Sequence, residues 1–238
     1  MEINMKKSVG YFTLIFIFII ICSSSAQTPF RANLSVGVNS ALSDFANQYK
    51  GGFSAEGGVF YSLPKSDIDL TLLVGYNSFT YNNAYVNDLV LKNLGMTIDY
   101  FTYKWSASDV PVMAGAKFKF PSGTLKPYLA GEIGFHYVQF NERFNGDTIT
   151  ASTTTPRIIY FSKTEKANEI GFGFGVSFGF EFNVYPKLNI DINAKYNYGK
   201  INCTKAYTVF LDQNKQFTAT PLEKMSFFTL KAGFIVDL

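Results

Sequence analysis

From position 170 the chain reads Ile170-Gly-Phe-Gly-Phe-Gly-Val-Ser-Phe-Gly-Phe-Glu-Phe-Asn183. A large apolar side chain stands at almost every second position, with a small or polar one between, which is the period of a β-strand whose two faces meet different surroundings. Working outward, seven further runs share that period, at 32–38, 53–63, 68–76, 112–120, 129–137, 188–198 and 228–238. The run at 188–198 sets Leu188, Ile190, Ile192, Ala194, Tyr196 and Tyr198 against Asn189, Asp191, Asn193, Lys195 and Asn197. Links after the second, fourth and sixth runs are tight, at 64–67, 121–124 and 185–187; the other four, 39–52, 78–109, 138–169 and 199–226, are long. Strict alternation of short and long links predicts an all-β, eight-stranded antiparallel up-and-down barrel with one elaborated end and both chain ends at the other.

The second face of each strand decides whether the apolar face points inward or toward lipid. A soluble barrel would show water a face rich in Lys and Glu, but the sixth run offers glycines and a single Glu, which suits a crowded lumen. Aromatics gather near both strand ends, with Tyr76, Trp105, Tyr137, Tyr196 and Tyr198 at the long-link side and Tyr61, Phe120, Phe182 and Tyr185 at the turn side. Such girdles mark two lipid–water interfaces. Hydrocarbon offers no partner for backbone N–H and C=O groups, so an alternating chain spans it only as a closed, transmembrane barrel. The charged fraction of 16% agrees with that reading, since soluble domains carry about 25%.

The same arithmetic excludes other chemistry. Twenty-one Lys and Arg against eighteen Asp and Glu leave a net charge of +3, far from the basic excess of a nucleic-acid binder. One His and two Cys supply neither a His/Cys metal cluster nor a disulfide framework. No catalytic, cofactor-binding or metal-ligating set is expected. At the N-terminus Lys6 and Lys7 precede an apolar run from Tyr11 to Cys22, followed by Ser23, Ser24, Ser25 and Ala26. This reads as a cleaved signal peptide over residues 1–26, too short for the roughly 20 residues of a membrane helix. Ile21 before Cys22 argues against lipidation, and residues 27–238 form one barrel domain.

Val110-Pro-Val-Met-Ala-Gly-Ala-Lys-Phe-Lys-Phe120 and Lys126-Pro-Tyr-Leu-Ala-Gly-Glu-Ile-Gly-Phe135 together resemble a strand–turn–strand of small eight-stranded outer-membrane proteins of the OmpA, OmpW and opacity-protein type. The stretch from Phe182 to Tyr196 is similar to their sixth-to-seventh hairpin. The resemblance implies the outer membrane of a Gram-negative-type cell, with both termini periplasmic and outer-membrane lipid and lipopolysaccharide around the wall. It implies barrel-assembly machinery as a partner, reading Gly233, Val236 and Leu238, with Leu238 where an aromatic is usual. Nothing after Leu238 would carry the peptidoglycan-binding module of larger OmpA-like members.

Candidate residues lie on the inward face. Glu56, Glu132, Lys195 and Lys231 each stand seven residues from the turn-side end of their strand, which places two acids and two bases at one level. They form either a charged gate or a buried ion-pair core, and the narrow interior of eight strands favours the core. Lys117, Glu181 and Asp191 form a second layer nearer the turns, with the same two roles open. His136 faces inward without a nearby serine and carboxylate to set a triad, so its expected place is a satisfied lumen histidine. The glycines of the sixth run never open a helix, so they cradle no phosphate. They make room for the larger inward Phe60, Leu73, Met113, Tyr128 and Phe227. In the long links, 100–105, 157–162 and 207–211 are strand-like and continue the wall or fold as a lid. The function expected is a non-enzymatic envelope or surface role with a largely filled lumen and a protein partner at the outer loops. Two alternatives stand beside it: a narrow OmpW-like channel for small apolar solutes, and an accessory subunit of an outer-membrane secretion or assembly complex.

Overall fold

The computed structural model describes residues 29–82, 84, 96–120, 123–151, 161–201, 208–212, 215–218 and 223–238. The segment read as a signal peptide lies outside the described residues. Eight strands build the wall: β1 (Phe30–Ala41), β2 (Gly52–Ser62), β3 (Ile68–Tyr81), β4 (Met96–Lys119), β5 (Leu125–Ala151), β6 (Phe161–Tyr185), β7 (Leu188–Lys200) and β8 (Lys224–Asp237). Each pairs antiparallel with its sequence neighbours, and β1 pairs with β8 from Arg31↔Asp237 to Ala41↔Phe227, which closes the ring. Closure leaves no open edge in the barrel itself, so its backbone groups find partners without water.

Side chains alternate as the period requires. On β1, Leu34, Val36 and Val38 point outward and are exposed, whereas Arg31, Asn33, Ser35 and Asn39 point inward and are buried. On β3 the same division sets Leu70, Leu72, Val74 and Tyr76 outside against Asp69, Thr71, Leu73 and Asn77 inside. Phe60, Leu73, Met113, Tyr128 and Phe227 are all buried in the interior.

The two ends of the barrel differ. Tight turns at 63–67 and 186–187 close one end, where β4 also stops at Lys119 and β5 begins at Leu125. At the other, β4, β5 and β6 run to 24, 27 and 25 residues, about twice the length of their neighbours. Links 78–109 and 138–169 are therefore far shorter as loops than the sequence period indicates, because strand continues through most of both. β3 follows β4 only as far as Thr80↔Ser106, and β7 follows β6 only as far as Phe172↔Lys200. Beyond those points, among the described residues, 96–105 and 161–171 pair only with β5, as in Trp105↔Glu142 and Arg143↔Thr164. A three-stranded sheet thus projects from the long end, where pairing supplies the backbone partners a loop would lack.

Link 39–52 holds a short helix, α1 (Ser43–Gln48), and a two-residue strand, Tyr49–Lys50, against Thr80 and Tyr81. Six residues are too few for a helical period to show in sequence. Of the strand-like 207–211, residue 207 lies outside the described residues and the rest joins neither wall nor extension: Thr208–Asp212 pairs with Lys215–Thr218 in a separate hairpin.

Candidate functional site

The charged inward residues meet in two layers. In the upper one Lys195 Nζ lies 2.9 Å from Glu56 Oε2 and also pairs with Glu132, while Lys231 Nζ lies 2.5 Å from Glu56 Oε1. Strands β2, β5, β7 and β8 each contribute one member, and all four side chains are buried. Two carboxylates facing two ammonium groups give a neutral set, the condition under which buried charges are tolerated.

The lower layer is larger than Lys117, Glu181 and Asp191. Lys117 pairs with Glu181 and lies 3.4 Å from Asp191 Oδ1, but Arg31 organises the rest. Its guanidinium reaches Asp69 at 2.7 Å, Glu181 at 2.6 Å and Asp237 at 3.1 Å. Asp69 also accepts from Lys119 at 2.8 Å and from Ser62 Oγ at 2.8 Å. Arg31 is the group sequence reading missed. It stands at the edge of its run, and its planar fork spans carboxylates from three other strands, a geometry Lys lacks.

Glycines on the inward face of β6 give these groups their space. A Cβ at position 179 would stand 2.5 Å from the Tyr128 hydroxyl, and one at 175 would stand 2.7 Å from Lys195 Cε. Tyr128 in turn lies under Lys117, whose Nζ is 3.6 Å from the ring centroid. A cavity of about 20 Å³, room for one water molecule, remains among Asn33, Phe60, Glu132, Ser177 and Lys195.

Above the layers His136 does have a carboxylate. Asp109 on β4 holds Nδ1 at 3.0 Å; Asn77 Nδ2 donates to the other Asp109 oxygen at 3.0 Å, and Asn77 Oδ1 accepts from Ser54 Oγ at 2.8 Å. This corrects the sequence expectation, which sought partners along β5 and counted Asp109 as loop. His136 Nε2 has no hydrogen-bond partner among the described residues, and a Cβ at Gly173 would stand 2.6 Å from it. The pair therefore lacks the hydroxyl or thiol that a triad needs at that nitrogen. Among the described residues no group of three His, Cys, Asp or Glu could hold a metal.

Toward the long end the interior turns aromatic. Phe45 of α1 packs edge-on against Phe79 at 4.9 Å and stacks on Tyr49 at 5.0 Å; Phe79 meets Phe227 at 5.0 Å, and Tyr49 meets Tyr81 and Phe140. Val138, Ile201 and Met225 are fully buried with them.

The sequence matches the family model for the outer membrane protein beta-barrel domain over residues 12–220. The chain belongs to that family. Among curated proteins none matches it. Solved structures of the same fold include Neisserial surface protein A, at 16% identity and TM-score 0.51, covering 90% of this chain and 100% of that one. The attachment invasion locus protein Ail of Yersinia pestis aligns at 12% identity and TM-score 0.41, with 86% and 97% covered. A major outer membrane protein from Thermus thermophilus aligns at 16% identity and TM-score 0.45, with 86% and 98% covered.

An outer-membrane barrel carries its own record of where lipid ends. Outward residues are apolar up to Val38, Tyr76, Val110, Tyr137, Ile170 and Phe228, and the next outward positions are Ser40, Ser78, Ser108, Gln139, Asn168 and Ser226. From Ile68 to Tyr76 the apolar outward run on β3 covers nine residues, the span a tilted strand of about 9–11 residues needs. The two ion-pair layers fall inside this band, and the aromatic cluster falls beyond it. Of the residues expected to form the assembly signal, Gly233 and Val236 lie on the β1–β8 seam, and the Leu238 amide donates to Phe30 O at 3.0 Å just past it.

Proposed function

We propose that this barrel is a non-enzymatic surface protein with a filled interior, its turn end and both termini in the periplasm and its three-stranded extension outside the cell as the contact surface. The single observation that carries the reading is the length of β4, β5 and β6, which far exceeds what the membrane requires. Along 96–105 one edge of the extension has no strand partner among the described residues, and the same holds along 161–171. Unpaired N–H and C=O groups on such edges accept an added strand, which gives an extended segment of a partner protein its mode of binding.

A filled interior is supported by the ion-pair layers and by the aromatic rings stacked above them. Two experiments test the reading. Refolded protein in a planar bilayer should be silent, and so should the Glu132→Gln and Lys231→Met variants; steady conductance altered by either substitution would establish a pore instead. Trypsin added to intact cells should cut within 96–171 and leave the turn-end loops whole. Cutting at Lys65 or Lys187 on intact cells would reverse the orientation.

A further inference from the structure

On the outer face, at the level where apolar residues give way to polar ones, two lysines stand side by side. Lys200 of β7 is the register partner of Lys224 of β8, so both side chains leave the same face of the sheet, and both are exposed. Directly opposed cross-strand residues have Cβ atoms about 4.5–5.5 Å apart, a separation at which like charges repel. No carboxylate of a described residue makes an ion pair with either; Glu223, and Asp44 on the adjacent α1, leave them unmatched. Lys50, another exposed lysine at the rim, faces Thr80, so among the described residues at this level two lysines stand in register only at the β7–β8 corner.

Its surroundings are those of a lipid headgroup. Phe172 flanks Lys200 on the β6 side and is exposed. One step toward the membrane, Tyr198 stacks on Phe174 with centroids 5.3 Å apart, and one step further Tyr196 pairs with Phe228. The 13-residue β7 climbs about 40 Å along its length, or about 30 Å along the membrane normal at the usual tilt. The apolar band of such barrels is about 25 Å tall, so a β7 that enters it near Leu188 brings Lys200 out at headgroup height.

We propose that Lys200 and Lys224 form a binding site for the phosphate of an outer-leaflet lipid headgroup, with the acyl chains lying along Tyr198, Phe174 and Phe228. A phosphate between the two ammonium groups would cancel their repulsion with charge-assisted hydrogen bonds, which a lone lysine snorkelling to the interface does not require. The assignment to the outer leaflet rests on the orientation proposed above, but the lysine pair and its chemistry do not.

The test uses the full barrel folded in phosphatidylcholine vesicles, alone or with bisphosphorylated lipid A in both leaflets, and reads the temperature at which the compact, heat-modifiable form is lost. Lipid A should raise that temperature by about 5 °C for the wild type and leave the Lys200→Gln/Lys224→Gln variant unmoved. In plain vesicles Lys224→Gln alone should melt above the wild type, because it removes the repulsion. Either variant retaining the full lipid A shift would overturn the site, as would a wild type that does not respond. Inorganic phosphate in plain vesicles should give no shift; an equal one would show a free-anion site and overturn the headgroup. Since both leaflets carry the lipid, a failure here indicts the site, whereas a failed orientation shows only in protease cleavage on cells.

Discussion

The interior of this barrel is built in two ways. Within the apolar band Arg31, Glu56, Lys117, Glu132, Glu181, Lys195 and Lys231 fill it with paired charges, and beyond the band Phe45, Tyr49, Phe79, Phe140 and Phe227 fill it with rings. The same strands do both: on β3 the inward residues run Asp69, Thr71, Leu73, Asn77, Phe79, Tyr81 in one continuous alternation. What changes is the solvent outside. In lipid the outward face must be apolar, and moving apolar groups inward gains little because acyl chains are as apolar as a core. The interior can then be polar provided every charge is matched. Past the headgroups the outward face meets water, and burying rings inside again contributes about 1.5–3 kcal/mol each.

The largest expected effect breaks the charged half. Among the described residues Glu56 is the only ion-pair partner of Lys231 and shares Lys195 with Glu132, so Glu56→Gln leaves two cations against one acid in the buried interior. It should cost about 3–5 kcal/mol in urea unfolding from vesicles. Removing both charges of one pair, in Glu56→Gln/Lys231→Met, leaves Lys195 with Glu132 and should restore most of that loss. A double variant as unstable as the single one would mean that shape, not charge balance, holds this level together.

Next comes the aromatic half. Phe79→Ala removes the ring that joins Phe45 of α1 to Phe227 of β8 and should cost about 3 kcal/mol. If the two halves are distinct in stability, amide exchange should rise in 43–50 and in the long end of β8 while β7 near Leu188 stays protected. Uniform loss of protection would show one cooperative unit with no division at the band.

Solvent reversal also explains how far the fold was legible in sequence. The period-2 pattern identified all eight strands and their inward faces, and counting from the turns selected Glu56, Glu132, Lys195 and Lys231, which the structure brings within ion-pair distance. It stopped β3 at Tyr76 and β5 at Tyr137, although the strands continue to Tyr81 and Ala151. The alternation does not end there. Its apolar side changes face, so Ser78 and Thr80 point out while Phe79 and Tyr81 point in, and a pattern keyed to one apolar face reads the reversal as a loop. Asp109 was lost for that reason, and with it the partner of His136. Arg31 reaches Glu181 across 150 positions of sequence, a contact that only barrel closure creates.

Placement of the band itself can be sharpened by a matched pair of lysines. Leu72 sits at the middle of the outward apolar run on β3 and is exposed, and Ser40 is the first polar outward residue of β1. Leu72→Lys should cost about 2–4 kcal/mol and Ser40→Lys no more than about 1 kcal/mol, since the penalty falls steeply from midplane to interface. Equal costs would place the lipid boundary beyond Ser40 and move the aromatic cluster into the membrane.

The smallest effect concerns the junction between the halves, where Asp109, His136, Asn77 and Ser54 form a hydrogen-bonded line directly beneath the rings. Asp109 is fully buried and meets no Lys or Arg among the described residues, so His136 and Asn77 are the side chains that hold it. A double-mutant cycle with Asp109→Asn and His136→Gln separates the two ways this can work. A neutral imidazole donating from Nδ1 should couple to Asp109 by about 1 kcal/mol, and an imidazolium by about 2–3 kcal/mol. The smaller value is expected. Nε2 finds no acceptor, and a second proton there would face the Gly173 backbone beneath an aromatic ceiling, where an unpaired N–H is costly. Asp109 then rests on hydrogen bonds from His136 and Asn77, and ion pairing ends one level lower, at Glu56 and Lys231.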